Sequence, residues 1–166
     1  VVYSFKIHVH KDGDDRKNLP GVEFDLYKQV PQVDAGNKAL TADEVKAYGL
    51  PDADAGNVWV KVNNDTLVTD GNGDVYQDGL ANGDYYLVEK KTAENYNLLK
   101  GPVKVTLNIS EETSWNENFE YKDGVLTKHD WDQKTTKFTD DKGKDVTDTA
   151  TITVTVINRK GFDLPT

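Results

Sequence analysis

The chain begins with an alternation of apolar and polar residues that predicts a half-buried β-strand. Over residues 3–10, the odd positions hold Tyr, Phe, Ile and Val, whereas the even positions are polar or charged. Successive side chains of a strand point to opposite faces, so Lys11 is predicted to share the apolar face. Lys6, at an even position, is predicted to face solvent instead.

The same two-residue period recurs along most of the chain, and Val, Thr, Tyr and Phe are frequent in these segments, so we predict an all-β fold. Further strands are predicted at about residues 22–26, 59–62, 66–69, 75–78, 84–90, 103–109, 115–121, 125–130, 135–139 and 149–158. Glu89 follows Tyr85 and Leu87 in phase, and Asn158 closes the apolar row of the last strand in the same way. Both polar side chains are therefore predicted to point inward.

The β-pattern breaks between about residues 31 and 64, which predicts an insertion. Within it, Thr41 and Glu44 have the spacing of a capping box ahead of a short helical run, which Gly49 can terminate. A chain of 166 residues fits one β-domain with a large insertion. We therefore predict a single domain over residues 1–161, with the insertion carrying one short helix.

Charge and composition narrow the possible partners. A net charge of −9 disfavours nucleic acid and anionic membrane surfaces, and no apolar run is long enough to cross a bilayer. Cysteine is absent, which excludes disulfides and thiolate metal sites. Methionine is also absent, even at position 1, and this suggests a piece of a longer chain. No cofactor is expected.

Three polar side chains, from Lys11, Glu89 and Asn158, are thus predicted to enter one apolar core. Burial disfavours the charged form of an ionisable group. A neutral Lys11 amine could attack the carboxamide carbon of Asn158 if protonated Glu89 donated to the amide oxygen and moved protons to the departing ammonia. The product would be an isopeptide cross-link, formed once and without turnover, so the chain is not predicted to be an enzyme.

Two segments resemble CnaB-type domains of Gram-positive pilins and surface adhesins. Residues 11–28, KDGDDRKNLPGVEFDLYK, resemble the opening of that family and put Lys11 at its reactive position. Residues 85–96, YYLVEKKTAENY, resemble the family's E-box, Y-x-L-x-E-T-x-A-P-x-G-Y, with Glu89 as its glutamate. The departures from that box are Lys90, Thr92, Ala93 and Asn95.

The end of the chain extends the resemblance to nearly its whole length. Residues 153–166, TVTVINRKGFDLPT, resemble the last strand of the family, with Asn158 as the acceptor. Residues 162–166 then resemble the start of an L-P-x-T-G sorting signal, whose first three matching positions are Leu164, Pro165 and Thr166.

The resemblance implies an immunoglobulin-like β-sandwich of the inverse, transthyretin-like kind. It implies a structural domain of a cell-surface pilin or wall-anchored adhesin, located outside a Gram-positive cell, on the cell wall or pilus. Sortase, other pilin subunits and peptidoglycan would be its partners.

Other interpretations stay open on the residues alone. The insertion at residues 31–64 could make the chain an adhesin module that binds a host extracellular-matrix protein or glycan. A prealbumin-like hydrolase or metal-dependent enzyme would need a cleft that the motifs do not support. Taken singly, Lys11 could snorkel, Glu89 could pair with a neighbouring lysine, and Asn158 could cap a turn.

Two possible metal sites are disfavoured. His8 and His10 share one strand face, but the sequence offers no third ligand, so no metal is predicted. Residues 70–78, DGNGDVYQD, resemble a calcium loop, yet Val75 occupies the position that needs glycine, and a hairpin turn is the better interpretation. The three tryptophans, Trp59, Trp115 and Trp131, could form a ligand platform but are more typical of core or rim positions.

Overall fold

The structure is a computed structural model that describes residues 4–161, apart from the side chains of residues 116 and 131–134. Its strands are β1 (Phe5–Gly13), β2 (Glu23–Pro31), β3 (Asn57–Lys61), β4 (Leu67–Val68), β5 (Asp74–Leu80), β6 (Gly83–Lys91), β7 (Val103–Leu107), β8 (Ser110–Lys122), β9 (Val125–Thr139) and β10 (Thr151–Asn158). Two short helices, α1 (Gln32–Ala35) and α2 (Ala42–Ala47), lie between β2 and β3. The all-β prediction is confirmed.

The chain divides into two compact units. The first comprises residues up to Leu107 together with those from Thr151 onwards, and the second is Asn108–Ala150. The assignment of residues 1–161 to one domain stays a prediction. Among the described residues, no helix combines the length and apolar character needed to cross a membrane.

Two sheets form the first unit. One has the order β10-β1-β5, in which β1 is parallel to β10 and antiparallel to β5. The other has the order β3-β2-β6-β7, and β4 also pairs with β2. The first and last strands of the chain are therefore neighbours in one sheet, although they are far apart in sequence.

The core of this unit follows the predicted alternation. In β1 the odd positions from Phe5 to Gly13 are all buried, whereas Lys6 is exposed. The other sheet and β10 contribute alternate apolar residues in the same way. Fully or nearly fully buried core residues include Ile7, Val9, Val22, Phe24, Leu26, Leu87, Val105, Leu107 and Val156. The two-residue period thus correctly predicts which residues face inward, whether they are apolar or polar.

A second, smaller core covers the opposite face of the β2–β6 sheet. Tyr27, Leu50, Trp59 and Val88 are buried together there, and side chains from the α2 region pack against them. The Trp59 indole N–H donates to the carbonyl oxygen of Pro51 at 2.8 Å. The segment between β2 and β3 therefore gives this sheet an apolar cover that the sequence pattern did not predict.

The helix predicted within the insertion is present as α2. The Thr41 side chain accepts a hydrogen bond from the Glu44 backbone N–H at 3.1 Å, and the Glu44 carboxylate accepts one from the Thr41 backbone N–H at 3.0 Å. Gly49, just after the helix, has a φ of 72°, a conformation that favours glycine. The four-residue helix α1 was not predicted.

The second unit is built on a long β-hairpin. β8 and β9 pair antiparallel from Ser110–Thr139 to Lys122–Val125, and Asp123 and Gly124, both with positive φ, form the turn. The sequence predicted two separate strands at 125–130 and 135–139, but the structure joins them in β9. The strand continues through residues 131–134, which lack the alternation of apolar and polar residues on which the prediction depended.

The capping box of α2 generates a stability prediction. Replacing Thr41 with Ala removes the acceptor for the Glu44 N–H and should lower the free energy of unfolding by about 1 kcal/mol. Urea unfolding of the two proteins measures this difference. Thr41→Ser keeps the hydroxyl and should stay close to the wild type; an equal loss in both variants would show that the methyl group of threonine, not the cap, is what matters.

Candidate functional site

The three polar residues predicted to face inward meet in the core of the first unit. β1 contributes Lys11, β10 contributes Asn158 and β6, in the other sheet, contributes Glu89. Lys11 is 0% exposed and Asn158 1%, and the Glu89 side chain is 0% exposed. The site therefore joins the two sheets through polar contacts that solvent does not reach.

The Lys11 amine lies against the Asn158 carboxamide. Its Nζ is 2.5 Å from Asn158 Oδ1, which is shorter than an ordinary N–H···O hydrogen bond. It also donates to the carbonyl oxygen of Val156 at 3.1 Å and lies 3.8 Å from Glu89 Oε2. The amine is thus held at the carboxamide group that the proposed chemistry would require.

Burial changes the acid–base behaviour of this amine. Removal from water lowers the pKa of Lys11 to about 8, and this effect outweighs the opposing influence of the Glu89 and Asp12 charges. A free lysine has to lose its proton before it can act as a nucleophile. The neutral, nucleophilic form of Lys11 is therefore accessible at mildly alkaline pH.

The Glu89 carboxylate contacts the nitrogen of the Asn158 carboxamide. Asn158 Nδ2 donates to Glu89 Oε1 at 2.8 Å and to Oε2 at 3.0 Å, and the Leu99 backbone N–H also donates to Oε1 at 3.0 Å. The sequence prediction that Glu89 donates to the carboxamide oxygen is wrong for this arrangement, because that oxygen faces Lys11. The geometry puts the carboxylate beside the nitrogen that would leave.

Thr92 is a site residue that the sequence analysis missed. Its Oγ1 accepts from Asn158 Nδ2 at 2.6 Å, so hydroxyl and carboxylate together fix the direction of the amide nitrogen. Thr92 was noted only as a departure from the E-box pattern, where alanine is usual. Its position three residues after Glu89 could have indicated that it lies near the site. Thr92 is just beyond the end of β6, however, and strand periodicity predicts no orientation there.

The backbone of Lys11 is fixed on both sides. Its N–H donates to the Gly73 carbonyl at 2.7 Å, and its own carbonyl accepts from the Leu19 N–H at 2.9 Å. Gly73 has a φ of 80°, and a Cβ at this position would lie 2.5 Å from the Lys11 carbonyl oxygen. A glycine is required there on both grounds.

The segment after Glu89 is fastened to the segment after Asn158. The Gly161 N–H donates to the Asn95 carbonyl at 2.7 Å, and the Asn97 N–H donates to the Arg159 carbonyl at 2.9 Å. Asn95 stands where the E-box pattern has glycine, and its φ of 70° is left-handed, a conformation that asparagine tolerates better than most residues. The departure from the pattern is thus compatible with the turn.

The other residues singled out in the sequence do not join this site. Leu164, Pro165 and Thr166 lie outside the described residues. Trp59 is buried and Trp115 is exposed on β8, and the Trp131 side chain is not among those described. The buried Trp59 fits the core position that the sequence favoured, and the ligand platform stays the disfavoured alternative.

The two histidines and the turn predicted at residues 70–78 lie elsewhere in the first unit. The Asp70 carboxylate accepts from the N–H groups of Asn72 and Asp74, as in a tight turn. His8 and His10 lie on the face of β1 opposite to Lys11, next to Asp74 of β5.

Comparison with known proteins identifies similar sequences and folds. A family model described as SpaA, prealbumin-like fold domain, matches residues 5–125. The group B streptococcus pilus 2b backbone protein is 27% identical, with a TM-score of 0.52 over 97% of this chain. The T6 backbone pilin of Streptococcus pyogenes is 15% identical, with a TM-score of 0.51 over 96%. BcpA, the major pilin subunit of Bacillus cereus, is 18% identical, with a TM-score of 0.48 over 94%.

This chain spans only part of each of these proteins. It covers 43% of the group B streptococcus protein, 35% of the T6 pilin and 29% of BcpA. No protein with a curated description is significantly similar to it.

The buried contacts of Lys11 generate a prediction about stability. Lys11→Ala leaves a cavity and removes the polar partner of the buried Glu89 and Asn158 side chains, so the free energy of unfolding should fall by at least about 3 kcal/mol. Chemical denaturation measures the loss. Lys6→Ala, on the exposed face of the same strand, is the matched control and should change stability by no more than about 0.5 kcal/mol. Equal effects of the two substitutions would contradict the site.

Proposed function

The chain belongs to the family of SpaA prealbumin-like fold domains, and on this premise we propose that it is a structural module of a Gram-positive pilin whose Lys11 and Asn158 become joined by an isopeptide bond. The resemblance to CnaB-type domains is confirmed by this membership and by the likeness to the streptococcal pilus backbone protein. The family match includes the positions of Lys11 and Glu89 and ends before Asn158.

One observation carries the proposal. Lys11, Glu89 and Asn158 come from three strands of two sheets, yet their polar atoms converge in a buried contact. A buried amine and carboxylate are costly unless each is well paired. A reaction that joins the Lys11 amine and the Asn158 carboxamide in one neutral amide would remove the buried amine permanently. This reaction would explain why the three polar groups are buried together.

The proposed reaction starts with a proton transfer. The Lys11 ammonium gives one proton to the Glu89 carboxylate, which produces a neutral amine and a carboxylic acid. The lone pair of Nζ then attacks Cγ of Asn158, and a C–N bond forms while the carbonyl electron pair moves to Oδ1.

Collapse of this intermediate completes the bond. Glu89 first delivers its proton to Nδ2 and then takes a second proton from Nζ, so the Cγ–Nδ2 bond breaks and neutral ammonia leaves. The products are a Lys11–Asn158 amide, one ammonia and protonated Glu89, and no further reactant is consumed. The position of the carboxylate at Nδ2, 2.8 Å from Oε1, supports this role as a proton relay.

The fold would accelerate the reaction by holding the Lys11 and Asn158 side chains next to each other. Strands β1 and β10 hold both reactants in register, with Gly13 paired to Asn158 and Lys11 to Val156. Fixing two groups in this way can raise their effective concentration by many orders of magnitude. The bond would then close a loop from residue 11 to residue 158 and stabilise the fold by roughly 5 kcal/mol in the loop-entropy model. The module would react once and is not proposed to be an enzyme.

The proposal extends to location and assembly. We place the module outside the cell, on the wall or pilus, with sortase acting at the signal that begins with Leu164, Pro165 and Thr166. Other pilin subunits or peptidoglycan would be the attachment partners. Support comes from the family and from the resemblance of residues 162–166 to a sorting signal.

The mass of the intact protein tests the isopeptide bond. We expect the purified chain to be lighter than its sequence mass by one ammonia, and a proteolytic digest to contain the segments around Lys11 and Asn158 as one branched peptide. Lys11→Ala and Asn158→Ala should restore the full mass because each removes a reactant. Glu89→Ala should do so because it removes the proton relay.

Lys6→Ala serves as the control and should keep the deficit of one ammonia. A full sequence mass in wild-type protein that is folded by circular dichroism would overturn the isopeptide proposal. A deficit that survives Lys11→Ala would assign the lost ammonia to another residue and have the same effect.

A hollow on the insertion favours a second candidate function, ligand binding by an adhesin module. It measures about 540 Å³ and lies against the smaller core. Its lining includes Leu40, Ala42, Val45, Leu50 and Trp59. A mixed apolar and polar hollow of this size suits part of a host extracellular-matrix protein or a glycan.

Filling the hollow tests this second candidate. Ala42→Trp places a large side chain at its lining and should weaken binding to immobilised matrix proteins or glycans by about tenfold or more. Ala47→Trp, on the same helix but outside the lining, should leave binding unchanged. Surface plasmon resonance over a panel of such ligands provides the measurement, and an absence of any binding, or equal loss in both variants, would argue against the adhesin function.

A further inference from the structure

The exposed side of β1 carries a second constellation of polar side chains, the histidine–aspartate cluster, composed of His8, His10 and Asp74. Strand alternation puts both histidines on one face, and the pairing of β1 with β5 puts His10 opposite Asp74. His8 Nε2 lies 2.8 Å and His10 Nδ1 2.6 Å from the same oxygen, Asp74 Oδ1. The three side chains are 18%, 26% and 25% exposed, so the cluster is sheltered but open to solutes.

The outer nitrogen of each histidine also faces a polar atom. His8 Nδ1 is 3.1 Å from Thr153 Oγ1 of β10. His10 Nε2 is 2.9 Å from Asp12 Oδ1, a buried oxygen for which this contact is too poorly aligned to count as a hydrogen bond. Once a metal has replaced the proton on the inner nitrogen of His8, the Thr153 hydroxyl can accept the ring N–H of the outer nitrogen, which is the usual arrangement around a metal-binding histidine.

We propose that the histidine–aspartate cluster binds one divalent transition-metal ion, with Zn²⁺ as the best fit. His8 Nε2, His10 Nδ1 and a carboxylate oxygen of Asp74 would be its ligands. Two imidazoles and one carboxylate form a donor set that suits Zn²⁺, and a water molecule would complete a tetrahedral site. The ligand atoms all lie within 4.8 Å of one another.

The contacts of Asp74 with the two histidines need only a small adjustment to admit the ion. Ligands of a tetrahedral zinc site, with bonds of about 2.0–2.1 Å, lie about 3.3 Å apart. The present separations from Asp74 Oδ1 are 2.8 Å and 2.6 Å, so the carboxylate has to move away by roughly half an ångström. Asp74 is at the first position of β5, beside the turn that starts at Asp70, where such a side-chain movement is easily accommodated.

The electrostatics of the cluster favour a cation. His10 lies between two carboxylates, and the hydrogen bond to Asp74, together with the charges of Asp12 and Asp74, raises its pKa despite partial burial. The two acidic groups thus attract positive charge, which either a proton or a metal ion can supply. A metal ion would displace the protons between the rings and Asp74, so protons and metal compete for the same site.

This site is separate from the proposed cross-link. The inward face of β1 carries Lys11, whereas His8 and His10 are on its other face. The metal proposal therefore does not depend on the isopeptide bond, and a failure of one leaves the other untouched.

Titration of the metal-free protein with Zn²⁺ in a calorimeter tests the proposal. We expect one equivalent to bind at pH 7.5, and Asp74→Asn or His8→Gln to weaken binding by about 100-fold or more because each removes a ligand. Thr153→Val removes only the partner of His8 and should weaken binding by about tenfold. His129→Gln, which alters the histidine of the β8–β9 hairpin, is the matched control and should leave binding unchanged.

Two further readouts keep the test decisive if a variant folds poorly. Co²⁺ in place of Zn²⁺ should give the intense visible absorption of a four-coordinate site in the wild type. Binding should weaken between pH 7.5 and pH 5.5, since the ligand nitrogens have to be free of protons to bind the metal. The proposal is overturned by a lack of stoichiometric binding, or by binding that Asp74→Asn leaves intact in protein that is folded by circular dichroism.

Discussion

The buried amine of Lys11 determines which polar side chains the core of the first unit must contain. The Lys11 side chain is completely shielded from solvent, and its nitrogen has to find polar partners inside an otherwise apolar core. Asn158, Glu89 and the Val156 carbonyl supply them. Because these partners come from a neighbouring strand and from the facing sheet, one ionisable group ties together the first strand, the last strand and the middle of the chain.

Strand periodicity was enough to find the centre of this site, and its limits explain what was missed. The positions of Lys11, Glu89 and Asn158 within apolar rows predicted their inward orientation, which the structure confirms. Thr92 lies past the end of β6, where alternation no longer applies. The contact of Glu89 with the amide nitrogen, in place of the oxygen, depends on a side-chain rotation that no sequence pattern encodes.

Contacts that depend on the pairing of distant segments also could not be predicted from the sequence. Asp74 completes the histidine–aspartate cluster only because β5 pairs with β1 in a particular register. The cover of the β2–β6 sheet depends on Trp59 and Leu50 meeting Tyr27 across the insertion. In each case the residue types were visible in the chain, but their proximity arises from tertiary structure. Strand β1 takes part in both sites, because its odd positions face the core with Lys11 and its even positions carry His8 and His10 on the other face.

The parallel pairing of β1 and β10 has a mechanical consequence. A force that draws residue 5 and residue 158 apart acts along the strand axes in opposite directions, because the two strands run side by side in the same sense. The ladder from Lys6–Thr151 to Gly13–Asn158 would then be sheared as a whole, so its hydrogen bonds would share the strain and would not open one after another. Such a ladder resists stretching better than a pair of strands whose hydrogen bonds are loaded one at a time.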